Sequence, residues 1–406
     1  MNQYRQHLQH FYQAALAAVN GREQVKQYLH THPLHTTCAV LAVGKAAIEM
    51  TQGVIDVVGD QLHSACVIGK AGLSQDFFAD ESRINYYAAG HPIPDQHSLH
   101  AGQALLNYLQ SLPSEIPLLV LTSGGASALV EVLPPYLSLH ELQKTNQWLL
   151  GSGLDIHAMN AVRKQLSAIK AGRLSQYVQG REVINLIISD VPGDDLRAIG
   201  SGLLIPHEPL QLPKNLPDWL ENYCTYALPL APMAAFAQIK PYLLTTAYTA
   251  RQAAYQAAKQ AGYTVTCFDE ILTGDAIKQG KYCVEFLRYA SKGVYIWSSE
   301  TTVNLPESVG QGGRCQTLCT SAAKVLCPDD TIYLLAAGTD GDDGNNHVAG
   351  AVIDNQSCIR AQQHGFDAYD ALRHANTGQF LHASGDVIKV SATGTNVMDI
   401  IIGLKA

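Results

Sequence analysis

The chain has 406 residues, 47% hydrophobic and 15% charged, a length that divides over two cores and a composition that excludes a disordered chain. Lys plus Arg number 27 against 35 Asp plus Glu, so the net charge of −8 offers no general attraction to nucleic acid or an anionic membrane, and an anionic substrate needs a local basic site. The nine cysteines are odd in number and include no CxxC pair, which reads as reduced core side chains.

At the start, Leu8, Phe11, Ala15, Leu16 and Val19 recur at helical spacing with glutamines between them, and Asn20-Gly21 supplies a stop. This is an amphipathic helix and not a secretory leader; no window reaches the length of a membrane span, and the expectation is a cytoplasmic protein. The run CAVLAVGKAA (38–47) then ends in Gly44-Lys45. It lacks the GxxxxGK[ST] spacing of a P-loop, so the residues alone leave Lys45 evenly divided between a ligand contact and an ordinary helix start. AGHPIPD (89–95) reads as a fixed loop, with His91 a hydrogen-bonded turn residue rather than a base.

PLLVLTSGGASAL (117–129) is the stronger signal. Ser123, Gly124, Gly125, Ala126 and Ser127 follow an apolar run directly, and two glycines between hydroxyls let backbone N–H groups approach an anion at a helix start. NAVRKQLSAIKAG (160–172) predicts a helix with Val162, Leu166 and Ile169 on one face and Arg163, Lys164 and Lys170 mostly solvated. VINLIISDVPGDD (183–195) places Asp190 just past a strand, where a carboxylate suits Mg²⁺ or a hydroxyl proton, while Asp194 and Asp195 read as a capped helix start.

Seven of the 17 prolines fall at Pro206, Pro209, Pro213, Pro217, Pro229, Pro232 and Pro241, a stretch that can continue neither a helix nor a central strand. The predicted division therefore lies near residue 235, giving domains 1–235 and 236–406, with the alanine-rich helix 249–262 opening the second. There GVYIWSSETT (293–302), TIYLLAAGTDGDDG (331–344) and VIKVSATGTNVMD (387–399) repeat the pattern of an apolar run followed by small or acidic residues. In GQGGRCQ (310–316) Arg314 projects from a helix start among glycines, the usual means of clamping a carboxylate or phosphate. Such a cleft residue should cost activity and little stability when changed to Ala. DGDDG (340–344) lacks the length and terminal Glu of a calcium loop, and the 16 histidines include no HExxH.

Runs apolar on both faces, alternating with helices, imply three-layer α/β domains with mainly parallel sheets, and ligands at the carboxyl ends of the strands. A site fed from both halves would occupy the interdomain cleft.

The order GKAA, GHPIPD, SGGASAL, NAVRKQLSAIKAGRL, ISDVPGDD, ETT, GGR, AAGTDGDDG and ATGTNVMD resembles the type II glycerate kinases, or glycerate 2-kinases, from about residue 40 to the C-terminus. The resemblance implies a Rossmann-like N-terminal domain, a mixed-sheet C-terminal domain like the family's MOFRL domain, and transfer of the γ-phosphoryl group of ATP, with Mg²⁺, to D-glycerate, usually giving 2-phosphoglycerate. It implies Lys45, Asp190 and Arg314 as catalytic residues, Asp190 also as the metal ligand, and Ser123–Ser127, Glu300, Gly313, Thr395 and Asn396 as substrate or phosphate contacts. It implies small-molecule partners only, and leaves a homodimer open. Ala126, Leu203, Ser298-Ser299, Cys315 and His347 stand where the family's usual pattern differs, and added bulk limits how closely a backbone can approach a ligand. The alternatives are hydroxypyruvate reduction, against which the absence of GxGxxG counts, and a non-catalytic binder of small acids.

Overall fold

Each apolar run that ends in small residues forms a strand or its approach, in the computed structural model, which describes residues 2–70, 78, 81–306, 309–391 and 393–406. The chain groups into a first unit, residues 21–244, and a second, residues 1–20 with 245–406.

The first unit holds β1 (Cys38–Val43), β2 (Leu62–Lys70), β3 (Ile84–Ala89), β4 (Leu118–Thr122), β5 (Val183–Ile188) and β6 (Ile239–Thr245), in the order β3-β2-β1-β4-β5-β6. The pairings among β1 to β5 are parallel. Every residue of β1 and of β4 is buried, as a sheet covered by helices on both faces requires. Ala39, Leu41 and Val43 of β1 pack with Leu118 and Val120 of β4 and with Leu105 and Leu109 of the helix Gln96–Ser111, each large side chain contributing about 1.5–3 kcal/mol by burial. Asp95 and Ser98 start that helix with reciprocal caps. The chain runs outward from β1 through β2 to β3 and then returns to β4 on the other side of β1. That reversal makes the carboxyl ends of β1 and β4 a topological switch point, the place where open α/β sheets take ligands.

The second unit holds β7 (Val265–Asp275), β8 (Gly293–Thr302), β9 (Ile332–Gly338), β10 (Gly350–Ile353), β11 (Val387–Ile388) and β12 (Asp399–Lys405), in the order β11-β10-β9-β12-β8-β7. The sheet is mixed, as expected: β7 and β8 are parallel, and the other pairings are antiparallel. Trp297 stacks on Phe268 with ring centroids 4.9 Å apart in a core that includes Leu318, Phe380 and Ile401.

Several expectations change. Strand β6 pairs at the edge of the first sheet, so the first unit runs to residue 244 and not 235. Residues 1–20 join the second unit: the helix Gln3–Ala18 buries Leu8, Phe11 and Ala15, the Tyr12 hydroxyl donates to the Gly338 carbonyl at 2.6 Å, and Arg5 pairs with Asp354 and Asp386. Gly21 opens a second helix, Gly21–Thr31. The helix expected over 160–172 is Ile156–Gln165, capped at its end by Leu166 with φ −90° and ψ 12°, and Ala171 and Gly172 take φ of 53° and 78°, outside helical space. Lys164 and Lys170 are buried, not solvated. The run 387–399 contributes only Val387–Ile388 as strand before the loop to β12, and Ala392 lies outside the described residues. All nine cysteines are free, and Cys327 is exposed, so it is not a core residue. No described helix is long and apolar enough to cross a membrane.

Candidate active site

In the first unit the registers Val43↔Thr122 and Thr122↔Ile187 bring the ends of β1, β4 and β5 side by side. Their continuations are Gly44-Lys45, Ser123-Gly124-Gly125 and Ser189-Asp190. The first two are laced together: Ser123 N–H donates to the Val43 carbonyl at 3.0 Å, Lys45 N–H to the Gly124 carbonyl at 2.9 Å and Ala46 N–H to Ser123 Oγ at 3.1 Å. This closeness explains Gly44, where a Cβ would stand 2.1 Å from Ser123 Oγ. Gly125 has φ +83°, and a Cβ there would meet His91 Cδ2 at 3.1 Å and Lys45 Cγ at 3.3 Å. Lys45 and His91 therefore flank the loop. The Gly124 and Gly125 N–H groups donate to no partner among the described residues, which suits them to an anion.

Ala126 belongs to the apolar core, and its N–H is turned back to the Ser123 carbonyl at 3.4 Å. Its methyl is thus not the bulk toward a ligand that the sequence suggested, and Leu203 is a core residue in the same way. Ser127 Oγ lies 2.7 Å from Ser201 Oγ, tying the loop to the segment that follows Asp190. Asp190 is half-buried at the end of β5.

In the second unit the antiparallel register Asp399↔Ser299 sets β12 beside the end of β8. Asp399 Oδ2 lies 2.6 Å from Arg314 Nε, Arg314 Nη2 donates to Asp399 Oδ1 at 3.1 Å, and Arg314 Nη1 bonds Glu300. Arg314 is the first residue of the helix Arg314–Val325, whose start is closed by Asp343: Oδ1 accepts from Cys315 N–H at 3.0 Å and Oδ2 from Gln316 N–H at 2.8 Å. Gly313 is required beside it, since a Cβ would stand 2.4 Å from Asp343 Oδ1. Burial pushes the Asp343 carboxyl up to about 6, Asp399 adds to the rise, and the bonds from Gln316 and Cys315 oppose it. Burial also raises Asp399, against the pull of Arg314. For Arg314 burial works to lower the pKa, but Asp399 and Glu300 outweigh it and hold the guanidinium charged. Thr395 and Asn396 are buried in the loop leading to β12.

Two family models match the chain: one described as Domain of unknown function (DUF4147) over residues 7–227, and the MOFRL family over residues 293–399. The D-glycerate 2-kinase of Thermotoga maritima is 31% identical over 90% of each chain. The chain belongs to the glycerate 2-kinase family. A crystal structure of glycerate kinase from T. maritima superposes with a TM-score of 0.85 at 28% identity, covering 99% of both chains. A relative from Agrobacterium vitis, 31% identical over 98% of this chain and 93% of its own, is instead named for hydroxypyruvate reduction.

As a glycerate 2-kinase family member the chain is an enzyme of the kinase class, and its sequence-predicted residues fall into two clusters. Lys45, Ser123, Gly124, Gly125, Ser127 and Asp190 gather at the strand ends of the first unit, and Glu300, Gly313 and Arg314 at the head of one helix in the second. Sequence reasoning missed Asp399, Asp343 and Gln316, which fix Arg314 and its helix. The signal was present: Asp399 closes the last quoted motif, and Asp343 stands in the acid-dense DGDDG segment, which the sequence excludes as a calcium loop and assigns no other role. Among the described residues no group of three or more His, Cys, Asp or Glu could hold a metal ion.

Proposed function

We propose that the chain transfers the γ-phosphoryl group of ATP, with Mg²⁺, to the C2 hydroxyl of D-glycerate, giving ADP and 2-phosphoglycerate. The observation that carries this reading is the loop at the switch point, where Lys45 stands against Gly125 and two backbone N–H groups have no partner among the described residues. Phosphoryl transfer asks the protein for little covalent chemistry; it asks for positioning and for neutralisation of charge on the equatorial oxygens. Lys45 and the Gly124–Gly125 N–H groups supply both at one place.

In this reading the bond from the γ-phosphorus to the ADP oxygen breaks, a bond to the glycerate O2 forms, and the hydroxyl proton passes to Asp190. Asp190 is also the carboxylate that would hold Mg²⁺, which fits a metal that arrives on nucleotide phosphates and needs only one or two protein carboxylates. Bound there, the metal would neutralise phosphate charge. Arg314 clamps the substrate carboxylate or the transferring group. The Asp399 side chain is 5% exposed and that of Glu300 36%, so Asp399 is the fixed partner of Arg314 and Glu300 the one that an incoming anion displaces.

The name of the A. vitis relative makes hydroxypyruvate reduction the second reading. Purified protein with Mg-ATP and D-glycerate should form ADP and 2-phosphoglycerate, resolved from the 3-phosphate by NMR. NADH oxidation with hydroxypyruvate and no ATP-dependent turnover would favour the reductase.

A further inference from the structure

The second unit carries an open cavity of about 790 Å³ whose wall begins at Gln311, three residues before Arg314. Its lining divides by chemistry. Val348, Phe366, Ala383 and Val387 supply apolar surface, Asn346 and Gln379 supply amides, and Lys389 is the cation. None of the lining residues is acidic, on a chain whose net charge is −8. A pocket that is part apolar, part amide and locally basic selects a ligand with a flat heteroaromatic part and an anionic part.

The wall is built to a set position. Gly378 N–H donates to the Gln311 carbonyl at 2.7 Å, and a Cβ at Gly378 would meet Asn346 Nδ2 at 2.2 Å. Asn346 and Gln316 exchange amide bonds at 2.7 and 3.0 Å, and Gln316 in turn donates to Asp343. Hydrogen bonds thus run without a break from the cavity wall to the first turn of the helix that Arg314 opens.

We propose that this cavity binds the purine nucleoside portion of the phosphoryl donor, with the base against Phe366 and Val348. The assignment rests on the kinase reading, and deepens it by giving the nucleotide a place in the second unit. A cavity of this volume lies within the usual range for small-molecule sites, roughly 300–1,000 Å³. Its adjacency to the GQGGR loop accounts for the polar wall, which a purely apolar ligand would not need.

The test uses two substitutions at exposed lining positions, His382→Trp, which fills the cavity, and Lys389→Gln, which removes its charge. Steady-state kinetics with Mg-ATP and D-glycerate should show the KM for ATP raised about tenfold or more in His382→Trp and several-fold in Lys389→Gln. The KM for D-glycerate should stay within about twofold, with circular dichroism unchanged. Calorimetric titration of ADP into each full-length protein, without glycerate, should show the same order of weakening. Wild-type turnover with both variants unchanged in KM for ATP overturns the pocket assignment alone. If the wild type turns over no ATP, the kinase reading fails separately, and the titration decides the pocket: ADP binding lost in His382→Trp sustains it, and ADP binding absent or unaffected overturns it.

Discussion

Asp399 Oδ2 lies 2.6 Å from Arg314 Nε, so the cation that sequence reasoning assigned to an anionic substrate is already held by a buried carboxylate. The pair fixes the plane of the guanidinium, which a bidentate clamp needs. It also couples the function of Arg314 to stability.

Arg314→Ala should therefore destabilise the protein, contrary to the expectation from sequence that such a change costs little stability. Removing one partner of a buried ion pair costs about 3–5 kcal/mol; with the Arg314 side chain 34% exposed, solvent screening reduces this to roughly 1–2 kcal/mol. Urea denaturation should show that loss, and kcat/KM should fall at least about 100-fold. Arg314→Lys should recover stability more than activity, because an ammonium keeps the charge without the fork. Equal recovery of both would show that the fork does not matter.

Gly125→Ala tests the loop at the switch point. An L side chain at φ +83° is strained, by about 1–2 kcal/mol, and the new methyl would press on His91 and Lys45. The expected result is a modest fall in melting temperature with a rise in KM for ATP of tenfold or more. A variant with unchanged kinetics would separate the glycine from ligand binding.

Glu131 and Lys170 form a buried pair 2.5 Å apart, with Ser167 Oγ donating to Glu131 at 2.6 Å. Lys170→Met alone should cost about 3–5 kcal/mol by stranding the carboxylate. The double variant Glu131→Gln with Lys170→Met should be less damaging than the sum of the single changes, because it leaves no unpaired charge. Additive losses in denaturant titrations would mean that the two groups act independently.

Acid titration should report Asp343. Its folded pKa, about 6, stands above the ordinary aspartate value of 3.8 because of burial. Its stabilising contribution is thus complete below the unfolded value and is lost as pH rises through 6. Asp343→Asn removes that dependence while keeping the size of the side chain. The unfolding free energy of the variant relative to wild type should shift in favour of the variant between about pH 4 and 6, the interval between the unfolded and folded pKa values; a constant difference would place the Asp343 pKa in the ordinary range.

The strands at Cys38–Val43, Leu118–Thr122 and Val183–Ile188 were legible because parallel strands covered on both faces must be apolar throughout and stop at small or polar residues. The motifs that follow them were legible for the same local reason, and their order along the chain carried the family. Period and local chemistry do not encode partners distant in sequence. Strand β6, which carries Pro241 and lies past the division expected near residue 235, pairs at the edge of the first sheet, and the helix Gln3–Ala18 packs with residues more than 200 positions away because its apolar stripe says only that it must be covered. Asp399 and Arg314, 85 residues apart, meet through the pairing of β12 with β8. Lys170 lies on a face whose local pattern reads as solvated, yet it is buried against Glu131. The sequence by itself determined the strands at Cys38–Val43, Leu118–Thr122, Val183–Ile188, Gly293–Thr302 and Ile332–Gly338, which loops carry polar chemistry and to which family they belong. Tertiary structure alone decided which charges are paired and buried, since an ion pair depends on long-range register and on desolvation that no local pattern contains.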